Sequence, residues 1–258
     1  MTATVALVGV SVSFFDHAVL RDVDAVFPAG RISVLVGRSG SGKTTLLRTV
    51  NRLNEENPGC VTSGKVFVDF GQGPQNIYAQ DTTKAGRGLS LPELRLRAGM
   101  LFQTPNCFPV GVYRNIAMPL ALAAGVPAGE IPDRVQASLQ SVGLWGELKD
   151  RLDTPAERLS GGQQQRLCLA RLLALQPSVL LLDEPTASLD IHATREIEEL
   201  LRNLASKYTV IMVSHELRQA RRMADQVLVC DGGKITGVFT DRSQFDEDLL
   251  AELLQPSG

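Results

Sequence analysis

The 258-residue sequence is poor in several features that would each decide its class early. It lacks an excess of positive charge: 26 Lys and Arg stand against 28 Asp and Glu, for a net charge of −2. No polybasic footprint for nucleic acid is expected, and no nucleic-acid partner. It also lacks an apolar run of the roughly 18–20 residues that cross a bilayer. The most membrane-like charge-free stretch, 115–129, is interrupted by Pro119 and Pro127. The opening residues carry no basic segment and alternate like a strand, which predicts no signal peptide. Cys60, Cys107, Cys168 and Cys230 form no CxxC pair, so the thiols are read as reduced, in a cytosolic setting, rather than as a disulfide frame or zinc site. Internal repeats, heptad runs and low-complexity tails are absent. What remains is an ordinary globular composition, 44% hydrophobic and 21% charged, and one large domain or a domain with a lobe is expected.

Residues 5–14, 25–27, 31–36 and 65–70 read as strands, and a helix is predicted from Lys43 to Asn54, ended by Pro58 and Gly59. Residues 71–90 form a long Gly/Gln/Thr-rich connection. A short helix over 92–97 leads to a strand at 98–103, and 104–158 is helical, punctuated by Pro and Gly. Beyond Ser160, helices alternate with the apolar strands 179–183, 209–214 and 226–230. That alternation predicts an α/β fold with a mostly parallel sheet covered on both faces. The cluster Arg218, Arg221 and Arg222 reads as a solvated helix face.

Gly37, Arg38, Ser39, Gly40, Ser41, Gly42, Lys43 and Thr44, followed by Thr45, fit GxxxxGK[ST] between an apolar strand and a helix. Glycines let backbone N–H groups approach phosphate oxygens, Lys43 reaches the β- and γ-phosphates, and the Thr44 hydroxyl can ligate Mg²⁺. The plainer alternative is a glycine-rich turn. The strand 179–183 ends in Asp183 and Glu184. Asp183 stands where a carboxylate would hold Mg²⁺, and Glu184 can act on an attacking water as general base. An acid at a strand end also serves to cap a helix.

Leu159, Ser160, Gly161, Gly162, Gln163, Gln164, Gln165 and Arg166 resemble the LSGGQ signature of ATP-binding cassette (ABC) ATPases. Gln103 resembles that family's Q-loop, Ser188, Leu189 and Asp190 its D-loop, and His215 its switch histidine, all in family order. The resemblance implies a P-loop NTPase of the ABC type: a single domain over 1–258, with a nucleotide-binding core at 1–103 and 159–258, a small antiparallel N-terminal sheet and an inserted helical lobe at 104–158. It implies ATP and Mg²⁺ as cofactors, with Thr44, Gln103 and Asp183 around the metal, Glu184 and His215 catalytic, and an aromatic adenine platform, Phe15 before Phe14. Ser160 and the glycines after it form a second anion cradle at a helix start. In the family two copies pair head to tail, so that Ser160, Gly161, Gly162 and Gln163 contact the partner's ATP.

The resemblance further implies integral membrane permease subunits docked on the lobe, an extracytoplasmic solute-binding protein and a peripheral position on the cytoplasmic face of the inner membrane. Within the family, residues 45–54 with Pro58, Asn76 to Tyr78, Phe108-Pro109, Tyr113, Asn115-Ile116 and 159–171 look most like the ATPase of bacterial phosphate importers. Arg38, Ser41, Cys107 and the segment after Asp231 depart from that subgroup. They leave open another small solute or oxyanion, or an exporter. A DNA-repair type of ABC ATPase would need coiled coils or zinc cysteines that this sequence lacks.

Overall fold

The computed structural model describes residues 4–79, 89–187 and 189–241; part of the 71–90 connection and Ser188 of the D-loop lie outside them. The chain runs β1 (Thr4–Phe14), β2 (His17–Phe27), β3 (Ile32–Gly37), α1 (Lys43–Thr49), β4 (Cys60–Asp69), β5 (Gln75–Asn76), α2 (Leu91–Arg97), β6 (Ala98–Leu101) and α3 (Val112–Leu122). It continues with α4 (Ile131–Ser141), α5 (Trp145–Leu148), α6 (Gly161–Ala174), β7 (Val179–Asp183), α7 (Ile191–Ala205), β8 (Thr209–Val213), α8 (Leu217–Met223), β9 (Gln226–Asp231) and β10 (Lys234–Phe239).

One sheet has the order β10-β9-β3-β8-β7-β6. Its strands are parallel except β10, which pairs antiparallel with β9. Every residue of β3, β7 and β8 is buried, as a strand covered on both faces requires. The period-2 alternation of side chains then divides each strand between two cores. Val34, Val36, Leu180, Leu182, Val210 and Met212 join the core under the helices α3, α4 and α6. Leu35, Val179, Leu181, Ile211 and Val213 face α1 and the second sheet. Truncating one of these leucines to alanine is expected to cost about 2–5 kcal/mol.

The second sheet, β2-β1-β4-β5, is antiparallel and buries one face, including Val5, Leu7, Leu20, Val23, Val66 and Val68. A register shift between Leu7 and Val10 keeps both inward across a three-residue step. The α/β architecture with a small antiparallel sheet is as expected. Several element bounds differ. β2 is eleven residues long because it pairs along β1 from Val5 to Phe14, and β4 begins at Cys60 because that residue pairs with Phe14. The strand β10 escaped the sequence reading. The helix expected to reach Asn54 stops at Thr49: buried Asn54 donates to Thr45 O at 2.8 Å and Thr49 Oγ1 at 3.0 Å, competing with further helical turns.

Between 104 and 158 the regular structure is helical. Val112, Ile116, Leu120, Val135 and Leu139 are fully or almost fully buried in the core they share with α6. Buried Asn115 fixes the approach to α3, accepting from Phe108 N at 2.8 Å and donating to the carbonyls of Phe108, Val110 and Gly111.

Candidate active site

β3 delivers the chain at Gly37, where a Cβ would stand 2.3 Å from the Cys230 carbonyl oxygen. The loop then enters α1 through Gly42, at φ 95°, a left-handed conformation that glycine adopts without strain. Lys43 is buried, and its Nζ donates to the carbonyls of Gly37 and Arg38, each at 2.8 Å. Burial pulls its pKa below the ordinary lysine range, an effect opposed by the negative charge of Glu184 and Asp183. Ser39, Gly40, Gly42, Lys43, Thr44 and Thr45 line an open groove of about 410 Å³ that also reaches Glu184. Arg38 is exposed, while Ser41 is buried with its Oγ unpartnered.

The Thr44 hydroxyl donates to Asp183 Oδ1 at 2.8 Å. Asp183 is almost fully buried, and burial raises its pKa. The next residue leaves the strand at φ 45°, a conformation that costs a non-glycine residue on the order of 1 kcal/mol or more. That turn sends the two adjacent acids to different partners. Glu184 Oε2 meets Gln103 Nε2 at 3.2 Å and His215 Nδ1 at 3.1 Å. An ionised carboxylate only accepts, so both neighbours donate to it. Thus Gln103, expected beside the metal, meets Glu184 in this structure. A second cavity of about 180 Å³ adjoins it, lined by Glu184, Ser214, His215 and Gln219 among others.

The Ser160 cradle is a separate construction. Ser160 caps α6: its Oγ accepts from Gln163 N at 3.3 Å, and Gln163 Oε1 accepts from Ser160 N at 3.1 Å. Ser160 and Gly161 are exposed, and nothing lies within 4 Å of where a Cβ on Gly161 would stand. Neither cavity described above is lined by signature residues. Asp190 caps α7, accepting from His192 N at 2.8 Å and Ala193 N at 3.0 Å; those N–H groups hold its pKa below the usual carboxylate range.

Phe15 is 73% exposed, at φ 51°, its backbone N–H bonded to Gly59 O. Phe14 is half-buried against the antiparallel-sheet core. Three residues near the site, His17, Val19 and Gln219, escaped the sequence reading, and Gln165 was read only as part of the signature. His17 and Val19, on one face of β2, line the phosphate-loop groove. Buried Gln165 donates to Phe102 O at 3.2 Å and Pro185 O at 3.0 Å. Buried Gln219 accepts from Ser214 Oγ and donates to Thr186 Oγ1 and Glu198; its only signal was a spacing of one helical turn after His215. The arginine cluster is not simply a solvated face, because Arg222 grips buried Glu198 through Nε at 3.1 Å and Nη2 at 2.7 Å.

The family model described as ABC transporter matches residues 20–187. The chain is 43% identical over 216 residues to the phosphate import ATP-binding protein PstB 1 of Vibrio parahaemolyticus, covering 84% of this chain and 75% of that one. It is 41% identical over 225 residues to the phosphate import ATP-binding protein PstB 2 of Listeria monocytogenes, covering 87% and 79%. Among solved structures it is similar to cbiO1 of Clostridium perfringens, described as part of the ABC transporter complex cbiONQ, with a TM-score of 0.78 at 26% identity, covering 96% and 92% of the chains. A dimeric ATP-binding cassette in a post-hydrolysis state with ADP and Pi matches with a TM-score of 0.73 at 27% identity, covering 92% and 98%. With the phosphate-loop, acidic strand end and signature in family order, these matches place the chain in the ABC transporter family, as an ATP-binding cassette ATPase.

Proposed function

We propose that this chain is the ATP-hydrolysing subunit of a phosphate importer, energising transport through a separate membrane permease. The observation that carries the ATPase half is the pairing of Thr44 with Asp183 beside a Glu184 carboxylate held by Gln103 and His215. The relatives' names support the phosphate half. Residues 37–45 cradle the nucleotide phosphates, and Phe15, solvent-facing where Phe14 is not, offers the adenine platform.

Thr44 and Asp183 suit Mg²⁺: both offer hard oxygens, and the buried carboxylate, unfavourable as an anion, gains from a cation. An ion held by these two residues takes its other ligands from phosphates and water. When bound, it would neutralise charge building on the phosphate oxygens. Glu184 takes a proton from the attacking water as the bond from the γ-phosphorus to the bridging oxygen breaks, and ADP leaves with the electron pair. Gln103 and His215 keep that carboxylate aimed, with His215 also facing the terminal phosphate.

The exposed Ser160 cradle and the likeness to a dimeric ATP-binding cassette support a homodimer with ATP sandwiched between the phosphate loop of one chain and Ser160 to Gln163 of the other. No helix among the described residues is long and apolar enough to cross a membrane. As the ATPase of such an importer, the chain takes a peripheral position on the cytoplasmic face of the inner membrane, with permease subunits and an extracytoplasmic binding protein as partners. Residues 104–158 form the docking lobe, where Phe108, Met118 and Leu122 are 39%, 40% and 80% exposed. Introducing a charge there costs several kcal/mol on desolvation, so Phe108→Asp is expected to keep basal ATPase activity and lose permease association.

Two experiments test the reading. Sedimentation of Glu184→Gln with ATP and with ADP should show dimer with ATP alone; equal fractions would reject the sandwich. Deleting the protein should remove phosphate uptake at low external phosphate while sparing other oxyanions. Normal phosphate uptake would reject the solute and leave the ATPase standing.

A further inference from the structure

Two of the four cysteines meet across the fold. Cys107 Sγ lies 3.5 Å from Cys168 Sγ, although 61 residues separate them in the chain. Cys168 is buried in the middle of α6, whereas Cys107 is half-buried on the irregular segment that follows Gln103. That segment is clasped onto α6 by a second set of contacts. Arg171 donates to Asn106 O at 3.1 Å and to Asn106 Oδ1 at 2.7 Å, and its guanidinium lies 4.5 Å from the Phe108 ring centroid. Its Nη2 is also 3.8 Å from Cys168 Sγ. A disulfide needs an S–S separation of about 2.05 Å, so closing the pair takes a movement of roughly 1.5 Å. The partner on the loop can supply it.

We propose that Cys107 and Cys168 form a dithiol that a hydroperoxide oxidises to a disulfide, and that this bond fixes the segment after Gln103 to α6 and slows ATP turnover. The chemistry of the pair suits the step. The sulfur–sulfur contact, in which either thiol can donate, draws the Cys168 pKa down, with Arg171 adding positive charge; the same contact, with burial, holds the Cys107 pKa up, and the Cys107 thiol also lies 3.7 Å from Gln164 O. The deprotonated sulfur attacks one peroxide oxygen and breaks the O–O bond, giving a sulfenic acid while the other oxygen leaves as water after taking a proton. The second sulfur then attacks the sulfenic sulfur, forming the S–S bond, and its proton departs with the hydroxyl as another water. One hydrogen peroxide is thereby reduced to two waters, and the two thiols together lose two electrons.

The other cysteines provide internal controls. Burial pushes the Cys230 thiol up to about 12, and Cys60 is also held above its ordinary value by burial. The full chain is treated with hydrogen peroxide, denatured in excess alkylating agent, digested and mapped by mass spectrometry. A linked Cys107–Cys168 peptide lighter by two hydrogens is expected, with Cys60 and Cys230 still alkylated and the link released by dithiothreitol. ATP turnover should fall in step with the link, return on reduction and stay peroxide-insensitive in Cys107→Ser; Cys168→Ala is a second insensitive variant should the first fold poorly. Full alkylation of Cys107 and Cys168 at a dose that oxidises Cys60 would overturn the proposal. A complete link with unchanged turnover would overturn the claim that it slows the enzyme. The turnover readout rests on the ATPase reading, but the peptide map does not, so failure of that reading would show as inactivity in the reduced chain.

Discussion

The two proposed anion cradles of this chain are built in opposite ways. The first, at 37–45, is assembled from distant elements: α1 supplies Lys43 and Thr44, the end of β7 supplies Asp183 and Glu184, and loops after β6 and β8 bring Gln103 and His215 onto the same carboxylate. The second, at Ser160, is local and exposed, its capping hydrogen bonds closed within four residues. The proposed reacting centre belongs to the first, and the second presents its donors outward. A site made of long-range contacts can fix a carboxylate against water; an exposed helix start can only complete a site brought to it.

The largest effect is expected at Glu184. Glu184→Gln should lower ATP turnover by about 10² to 10⁴ while leaving ATP binding intact, because Lys43, Thr44 and Asp183 are untouched. Rate and nucleotide affinity measured together decide it, and an unchanged rate removes Glu184 from the mechanism. Phe15→Ala should be milder: losing a stacking face worth roughly 0.5–1.5 kcal/mol raises the ATP concentration required by about two- to twelvefold. Phe14→Ala should instead lower the melting temperature, and normal ATP binding by Phe15→Ala alongside weakened binding by Phe14→Ala would reverse the assignment.

Ser160→Ala sharpens the contrast at the other cradle. It should cost about 1 kcal/mol of stability through the lost cap and reduce turnover beyond what that loss explains. Ser160→Asp keeps a capping acceptor but adds negative charge facing phosphate; normal turnover in that variant would show that the cradle meets no anion. The smallest effect is expected in stability alone. Asp183 has a raised pKa in the fold, so its neutral form is favoured there and its contribution to stability falls as pH rises above the ordinary carboxylate range. Asp183→Asn should therefore melt higher than the parent at neutral pH without nucleotide, the gap narrowing on acidification. A lower melting temperature at every pH would contradict the burial argument.

The phosphate loop and the acidic strand end were legible because their chemistry fixes residue types at short spacing. Gln103 and His215 are less so: a lone glutamine or histidine has no local signature, and their order relative to the signature carried the reading. The parallel sheet followed from apolar strands alternating with helices, but the extent of β2 and β4 depended on pairing partners. The early stop of α1 depended on Asn54 folding back onto it. Arg222 looked solvated because Glu198, its partner, is 24 residues away in sequence. Gln165 was visible only as part of the signature, since the carbonyls it holds come from two other loops.

That buried glutamine has a consequence for coupling. It sits on the helix whose N-terminus presents Ser160, yet its amide grips the backbone just before Gln103 and just after Glu184. Those two hydrogen bonds tie the loops on either side of the candidate reacting centre to the helix that carries Ser160. In the proposed head-to-tail pair, Ser160 faces the other chain's nucleotide. Under that proposed pairing, the same glutamine would link the loops around one chain's Glu184 to the signature that its neighbour's nucleotide meets.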